Sequence, residues 1–439
     1  MATLKRSSDG LSKSWAVNGS VKPFFSGGRI EVSDSPSKLY CVNDGALSSL
    51  DLISSSISTN ILGSSVDVDD ELRDGITCFC VHPNGEELVV ATASYLIKHY
   101  NIKTGALLRT IKGNYNMPIL SLAYDATGTL VATGSADSVV RVWDITKGYC
   151  THTFRAHTDI VPLVTFVSWS ADVGSPADRL LLASCSDDRT IILHDLQTSK
   201  TITTFRQHMG APTDVALNNR FAGSKSSTLL MASCGRDRVL NIFDMRTHKH
   251  IKTVPVADEE LEAVAFVSGA DLPAKRGGRA ESFRLVSGGS AGLLKVYFLA
   301  VEAGDVSCQQ ALQLDTQQGC MLTNLVYVPQ EHKLVAATSE QCFHFFSVLD
   351  GDSSVGNAVD YDNVQIDGNL DDILDVLMLT GDCTQQDATA EESRPTSAYK
   401  LAVITNTSNL RIMNSSFQTM QHLSGHEDTI MALDCNNDW

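Results

Sequence analysis

One motif recurs along this chain and narrows its fold more than any other feature. Residues 131–145, 182–196 and 231–245 read VATGSADSVVRVWDI, LASCSDDRTIILHDL and MASCGRDRVLNIFDM, and they align without gaps. Each copy runs from a small-residue strand end, through a tight turn containing Asp, into a second strand of alternating apolar residues. That strand ends in an aromatic residue or His followed by Asp. Trp143, His194 and Phe243 mark this last position, at spacings of 51 and 49 residues. Weaker copies are LVSGGSAGLLKVYFL (285–299), VVATASYLIKHYNI (89–102), LVAATSEQCFHFFSV (334–348) and LAVITNTSNLRIMNS (401–415). A worn copy, RIEVSDSPSKLYCVNDGALSSLDL, covers 29–52. Eight units therefore lie between about residue 28 and residue 423.

Within a unit the pattern predicts four short strands. The third unit runs PILSLAYD, TLVATGS, VVRVWDI and CTHTFRAH, with period-2 apolar alternation between Gly, Asp, Asn or Ser turns. Asp137 suits the tight hairpin turn. A four-stranded sheet of this size cannot bury its own faces. Packing such sheets around a closed ring buries both faces and leaves only short protected edges. The expected fold is all-β, a propeller of seven or eight four-stranded blades.

These units resemble the WD40 repeat in Trp143-Asp144, in the Gly425-His426 pair, and in the near-matches Ala156-His157 and Gln207-His208. The resemblance implies a buried hydrogen-bonded set in each blade, formed by His, Ser or Thr, Asp and Trp. The matching residues are His157, Ser184 and Asp188 in the fourth unit, with His194 in place of Trp, and His208, Ser233 and Asp237 in the fifth, with Phe243 there. The third unit offers Thr133, Asp137 and Trp143 with no matching His, and in the sixth Gly292 is expected at the Asp position.

Four longer stretches, in order, are similar to one WD40 lineage, the transducin-beta-like component of the UTP-B part of the small-subunit processome. They are WAVNGSVKPFFSGGRIEV, ATGSADSVVRVWDITKGYCTHTFRAH, CGRDRVLNIFDMRTHKHIKTVPVADEELEAVAF and HLSGHEDTIMALD. This resemblance implies a nucleolar scaffold with two tandem propellers and a helical tail, acting in early processing of the 18S ribosomal RNA precursor. Its partners would be other UTP-B proteins, with precursor ribosomal RNA or small nucleolar RNA as further partners. The segmentation expected is an N-terminal extension (1–27), the propeller (28–423), and at 424–439 the first strand of a further unit. A lone strand forms no blade, so the sequence reads as a fragment without its second propeller.

Charge and composition exclude other classes. The formal net charge is −17, from 34 basic and 51 acidic residues, which argues against coating nucleic acid through bulk positive charge. The charge is concentrated. Residues 334–393 hold thirteen acids and no Lys or Arg, which leaves −4 for the rest. Asp371, Asp372 and Asp375 in this sector could dock a basic partner segment, or the sector is a solvated rim. No run reaches ~18 apolar residues, so no membrane partner is expected. The eleven cysteines form no Cys-x-x-Cys pair and read as reduced core thiols.

Ser184, His157 and Asp188 are also the parts of an acyl-transfer triad. They fall on repeat positions, recur one unit later, and lack a Gly-x-Ser-x-Gly turn, so the structural reading prevails. His248 and His250 alternate on one strand without further ligands nearby, and DVDDELRD (67–74) lacks the glycine and spacing of a calcium loop. No catalytic residue, metal, cofactor or small-molecule substrate is expected. What remains is surface recognition. Insertions at 170–178, 219–227, 268–281 and 381–398 fall between first and second strands, and 349–362 falls between a third strand and an outer one, so all open on one face. The basic insertion carries Lys275, Arg276 and Arg279, which could contact RNA phosphates. The reading is a non-enzymatic nuclear or nucleolar scaffold. The alternative is a WD40 adaptor or ubiquitin-ligase substrate receptor outside ribosome assembly.

Overall fold

The computed structural model describes residues 25–432 except 35–36, 44, 54–56, 59–60, 63–73, 168–179, 219–228, 257–258, 274–278, 303–304, 316–319, 349–358, 368–372, 380–399, 406–409, 414–418 and 424–430. Among the described residues every regular element is a β-strand. The strands join in fours, each to the next in sequence order and antiparallel. In unit 3 they are Ile119–Tyr124, Leu130–Ser135, Val140–Asp144 and Tyr149–Phe154.

The second hairpin turn is the same object in unit after unit. A left-handed residue closes it, with φ of 64° at Tyr95, 63° at Ser138, 67° at Arg189, 63° at Arg238, 73° at Gly292 and 63° at Gln341. Each of these N–H groups bonds the carbonyl three residues earlier, at Thr92, Ser135, Ser186, Gly235, Gly289 and Thr338. The Asp before the left-handed residue steadies the turn. Asp137 accepts the Val139 N–H at 3.1 Å, and Asp188 accepts the Thr190 N–H at 3.0 Å. This register corrects one expectation. Gly292 holds the left-handed position, where a missing Cβ costs nothing, and Ala291 holds the Asp position.

Both faces of the second and third strands of the blades are buried, which explains their nearly continuous apolar runs. Unit 4 shows the period of two. Leu182 packs toward unit 3 with Ala132, Val142 and Phe166, whereas Leu181, Ala183 and Cys185 pack toward unit 5 with Met231 and Phe243. Seven apolar clusters result among the described residues, one at each junction of neighbouring units. The first strands touch one another in succession around the centre, and unit 7's (Leu322–Val328) meets unit 1's (Glu31–Asp34). The ring therefore contains seven blades.

Among the described residues no strand is shared across the closing junction. Phe25, Ile30, Leu39 and Leu50 pack with Val335, Ala337, Phe343 and Ile366. The rings of Phe25 and Phe343 lie 4.6 Å apart. Asn324 Nδ2 donates to the Gly28 carbonyl at 2.7 Å, and Gln341 Nε2 donates to that of Ser26 at 3.3 Å. The double glycine, with φ of 97° at both Gly27 and Gly28, turns the chain between the buried Phe25 and the first strand.

The eighth unit stands outside the ring. Its strands Ile373–Leu379, Lys400–Thr405, Leu410–Met413 and Thr419–Leu423 extend unit 7's sheet, outer strand against outer strand, with Thr419 opposite Gln365. The insertion expected at 268–281 is partly strand. The ladder between Leu261–Pro273 and Arg279–Gly289 continues to Pro273 opposite Arg279. The insertions at 170–178 and 219–227 lie outside the described residues, as does 381–398.

Because the described contacts that close the ring are made by side chains, truncating one of them should be costly. Phe343 is fully buried, and Phe343→Ala is expected to destabilise the protein by about 3–5 kcal/mol in urea unfolding monitored by tryptophan fluorescence. Ile53→Ala, at a position 73% exposed, should change stability by less than about 0.5 kcal/mol.

Candidate functional site

Antiparallel blades present two kinds of connection. First-to-second and third-to-outer loops open on one face. The second hairpin turns and the links between blades open on the other. The His, Ser and Asp positions tie the second face to the blade interior.

In unit 4, His157 Nδ1 lies 2.9 Å from Asp188 Oδ2, and its Nε2 lies 2.8 Å from Ser184 Oγ. Ser184 Oγ also meets His194 Nε2 at 3.0 Å, which puts His194 where the repeat's Trp would reach. Asp188 further accepts the Thr158 N–H and the Thr190 hydroxyl. Burial pushes the Asp188 carboxyl up, but the bonds from Thr190, Thr158 and His157 outweigh it and hold the pKa below the usual carboxylate value. Burial, with the nearby His157, pulls His194 down to about 3. Unit 5 repeats the arrangement. His208 Nδ1 is 2.9 Å from Asp237 Oδ2 and its Nε2 is 2.7 Å from Ser233 Oγ, while Asn241 Nδ2 approaches that Nε2 at 3.2 Å. Burial lowers the His208 pKa against the pull of Asp237.

The spacings in unit 4 match those of a nucleophile, a base and an orienting acid. Ser184 is nevertheless 0% exposed, so no acyl carbonyl can reach its Oγ. A buried, mutually satisfied set of this kind stabilises a turn.

Unit 3 solves the same problem without His. Trp143 Nε1 donates to Tyr115 Oη at 2.8 Å, and that oxygen meets Thr133 Oγ1 at 2.7 Å. Arg141 reaches the turn Asp137 at 2.8 Å and lies 4.5 Å over the Tyr115 ring. Units 2 and 6 use a third solution. Lys98 Nζ pairs with Asp74 at 2.8 Å, and Asp74 also accepts the Ser94 N–H and hydroxyl. Those bonds overcome burial and hold Asp74 at about 2. Lys295 Nζ pairs with Glu259 at 3.3 Å, both almost fully buried, and Glu259 accepts the Ala291 N–H at 3.0 Å. Sequence reasoning missed Tyr115, Asp74, Glu259 and their cations. A signal was present, because Lys98, Arg141 and Lys295 each stand two residues before the marker aromatic, Tyr100, Trp143 and Tyr297.

The other expected contact residues lie elsewhere. Lys275 and Arg276 fall outside the described residues, as do Asp371 and Asp372. Arg279 begins the strand Arg279–Gly289, and Asp375 lies in Ile373–Leu379 opposite Ile404. His250 Nε2 bonds Thr253 Oγ1 at 2.9 Å.

Comparison with known proteins agrees with this geometry. The family described as WD domain, G-beta repeat matches residues 105–144 and 148–195. Transducin beta-like protein 3 of Bos taurus is 27% identical over 424 residues, covering 97% of this chain and 47% of its own length. The chain thus spans about half of that relative. U3 small nucleolar RNA-associated protein 13 of Saccharomyces cerevisiae is 32% identical over 99 residues, 23% of this chain and 12% of its own length. Among solved structures, a chain of the mitotic checkpoint complex superposes with a TM-score of 0.54 at 15% identity, over 79% of this chain and 99% of its own. That likeness concerns the fold alone.

The depressed histidines give the protein a predictable acid response. His194 titrates near 6.5 when unfolded and near 3 when folded. Between those values the unfolded chain binds a proton that the folded one refuses, so stability falls as pH drops across the window and is fully present above it. His208 is shifted in the same direction. Unfolding free energies measured by urea titration from pH 7 to pH 4 should show this slope. The slope should be shallower in His194→Phe.

Proposed function

This chain is a WD40-repeat propeller that resembles transducin beta-like protein 3 along nearly its whole length, and from that premise we propose that it is a scaffold of ribosome biogenesis. Its role would be assembly within the small-subunit processome, in the nucleolus, during early processing of the 18S ribosomal RNA precursor. The observation that carries this reading is the extent of the likeness, 97% of the chain. The shorter likeness to a protein named for its association with U3 small nucleolar RNA supports it.

The role proposed is non-enzymatic. WD40 propellers are generally scaffolds, and the triad-like sets of units 4 and 5 are closed to solvent at Ser184 and Ser233. The ring supplies a rigid body with two faces and a rim, to which UTP-B proteins would attach. RNA contact is assigned to Lys275, Arg276 and Arg279. The acidic sector with Asp371, Asp372 and Asp375 is assigned to a basic partner segment.

Affinity purification of the tagged chain from nuclear extract should recover processome proteins together with a U3-type small nucleolar RNA. Serine at positions 275, 276 and 279 should lower crosslinking to precursor ribosomal RNA. Recovery of a cullin-type ligase without processome proteins would replace this reading with that of a substrate receptor.

A further inference from the structure

The face of the second hairpin turns carries a feature that the blade networks do not use. Two positions recur on it. One follows the last buried residue of the outer strand: Lys112 after Ile111, Arg155 after Phe154 and Arg206 after Phe205. The other is the left-handed turn residue: Tyr95, Ser138, Arg189 and Arg238. Both lie on the outer radius, since one ends the outermost strand and the other begins the third. Followed around the ring from unit 2 to unit 5 they alternate as Tyr95, Lys112, Ser138, Arg155, Arg189, Arg206 and Arg238. No acid occupies any of them.

The five cations are exposed. None of them takes part in an ion pair among the described residues. Their backbones are held in place from below. Arg155 stands two residues before His157, and Arg189 directly follows Asp188, the partner of His157. Arg206 and Arg238 flank the His208–Asp237 bond in the same way. The guanidinium groups thus project from a fixed arc, which lowers the ordering cost of binding.

Acids on this face flank the arc, with Asp188 and Asp237, bonded to His157 and His208, directly before Arg189 and Arg238. Asp159 and Asp187 are exposed there, and Arg236 approaches Glu262 at 3.7 Å. Apolar side chains interrupt the arc. Met209 is 80% exposed, with its N–H fixed on Asp237 Oδ2 at 2.8 Å. Met117 is 47% exposed in the link that leads into unit 3.

We infer that this arc docks a partner-protein segment in which carboxylates alternate with apolar side chains. Arginine forks match carboxylates in bidentate geometry. Exposed methionine offers an adaptable apolar contact, and Arg and Met are both enriched where proteins meet. A nucleic-acid strand fits less well. Its sugar-phosphate backbone is hydrophilic throughout and carries no apolar side chains to set against Met209 and Met117. The inference stands apart from the ribosome-assembly reading, because it concerns what this face binds in any setting.

The test uses fluorescence anisotropy on the full chain with two labelled probes, a short peptide of alternating Glu and Leu and a single-stranded oligouridine. The peptide should bind, with affinity that falls as salt rises. Arg155→Glu with Arg206→Glu should weaken it about tenfold or more, and Met209→Ser should weaken it with the salt dependence retained. Ile53→Ala, at an exposed position in unit 1 outside the arc, should leave it unchanged. Unaltered circular dichroism and thermal midpoint would show that the Glu variant is folded. Absence of peptide binding, equal binding by wild type and the folded Glu variant, or preferential binding of oligouridine lost in that variant would each overturn the inference.

Discussion

Each blade of this protein can bury its two faces only against its neighbours, and the whole fold rests on that condition being met seven times. Six junctions join units that are adjacent in sequence, so the connecting chain already holds them close. The seventh joins units at opposite ends of the ring. It is made by apolar side chains from Phe25 to Leu50 on one side and Val335 to Ile366 on the other, helped by hydrogen bonds to the Gly28 and Ser26 carbonyls. Closing it orders a loop of some three hundred residues, at an entropy cost that grows only with the logarithm of length. Burying aromatic rings such as Phe25 and Phe343, at roughly 1.5–3 kcal/mol each, opposes that cost. Among the described residues the eighth unit meets unit 7 along the outer edge, away from this closure.

Within a blade, the second constraint is polar. The turn before the third strand is joined to the link that enters the blade, and both carry backbone groups close to the buried interior. Three different side-chain sets meet this need. Units 4 and 5 bring in His157 or His208 to bridge Ser and Asp. Unit 3 bridges Trp143 and Thr133 through Tyr115, and Asp137 through Arg141. Units 2 and 6 place an acid from the entering link, Asp74 or Glu259, against a lysine of the third strand. The Lys295–Glu259 pair carries the heaviest desolvation penalty, because both members are charged and almost fully buried. At Glu259 the Ala291 N–H offsets part of it by bonding the carboxylate directly.

These substitutions explain what the sequence revealed and what it hid. The four-strand period was legible because alternation and turn residues are local properties, and each unit repeats them. His157, Ser184 and Asp188 were legible because their spacing is conventional for the repeat. Tyr115 was not, since its role depends on how far a phenol reaches across from the link into unit 3, which no spacing encodes. Glu259 and Lys295 were hidden for a related reason. The pair replaces two residues of the usual set by two of different type at different positions, so a search for the missing Asp found Gly292 instead of the solution. The closing role of Phe25 was invisible because its partner Phe343 lies more than three hundred positions away. The choice between seven and eight blades was open in the sequence for the same reason, and the contact between the first and seventh units settles it.

The net charge of −17 is a poor guide to what any one surface attracts. Thirteen of those charges fall within residues 334–393, in units 7 and 8, while the unpaired cations run from Lys112 to Arg238 across units 2 to 5. Unit 6 separates the two sectors on one side, and unit 1 separates them on the other. Packed sheets stand ~10 Å apart, so either path to unit 7, from unit 5 through unit 6 or from unit 2 through unit 1, spans about two such intervals. At physiological ionic strength the screening length is about 8 Å, well short of either path. The described acids of unit 7, such as Glu340, therefore do little to weaken the field over the arginine arc. A rigid ring keeps unit 7 at this distance from units 2 to 5, because no blade can turn without breaking the apolar junctions that hold it in place.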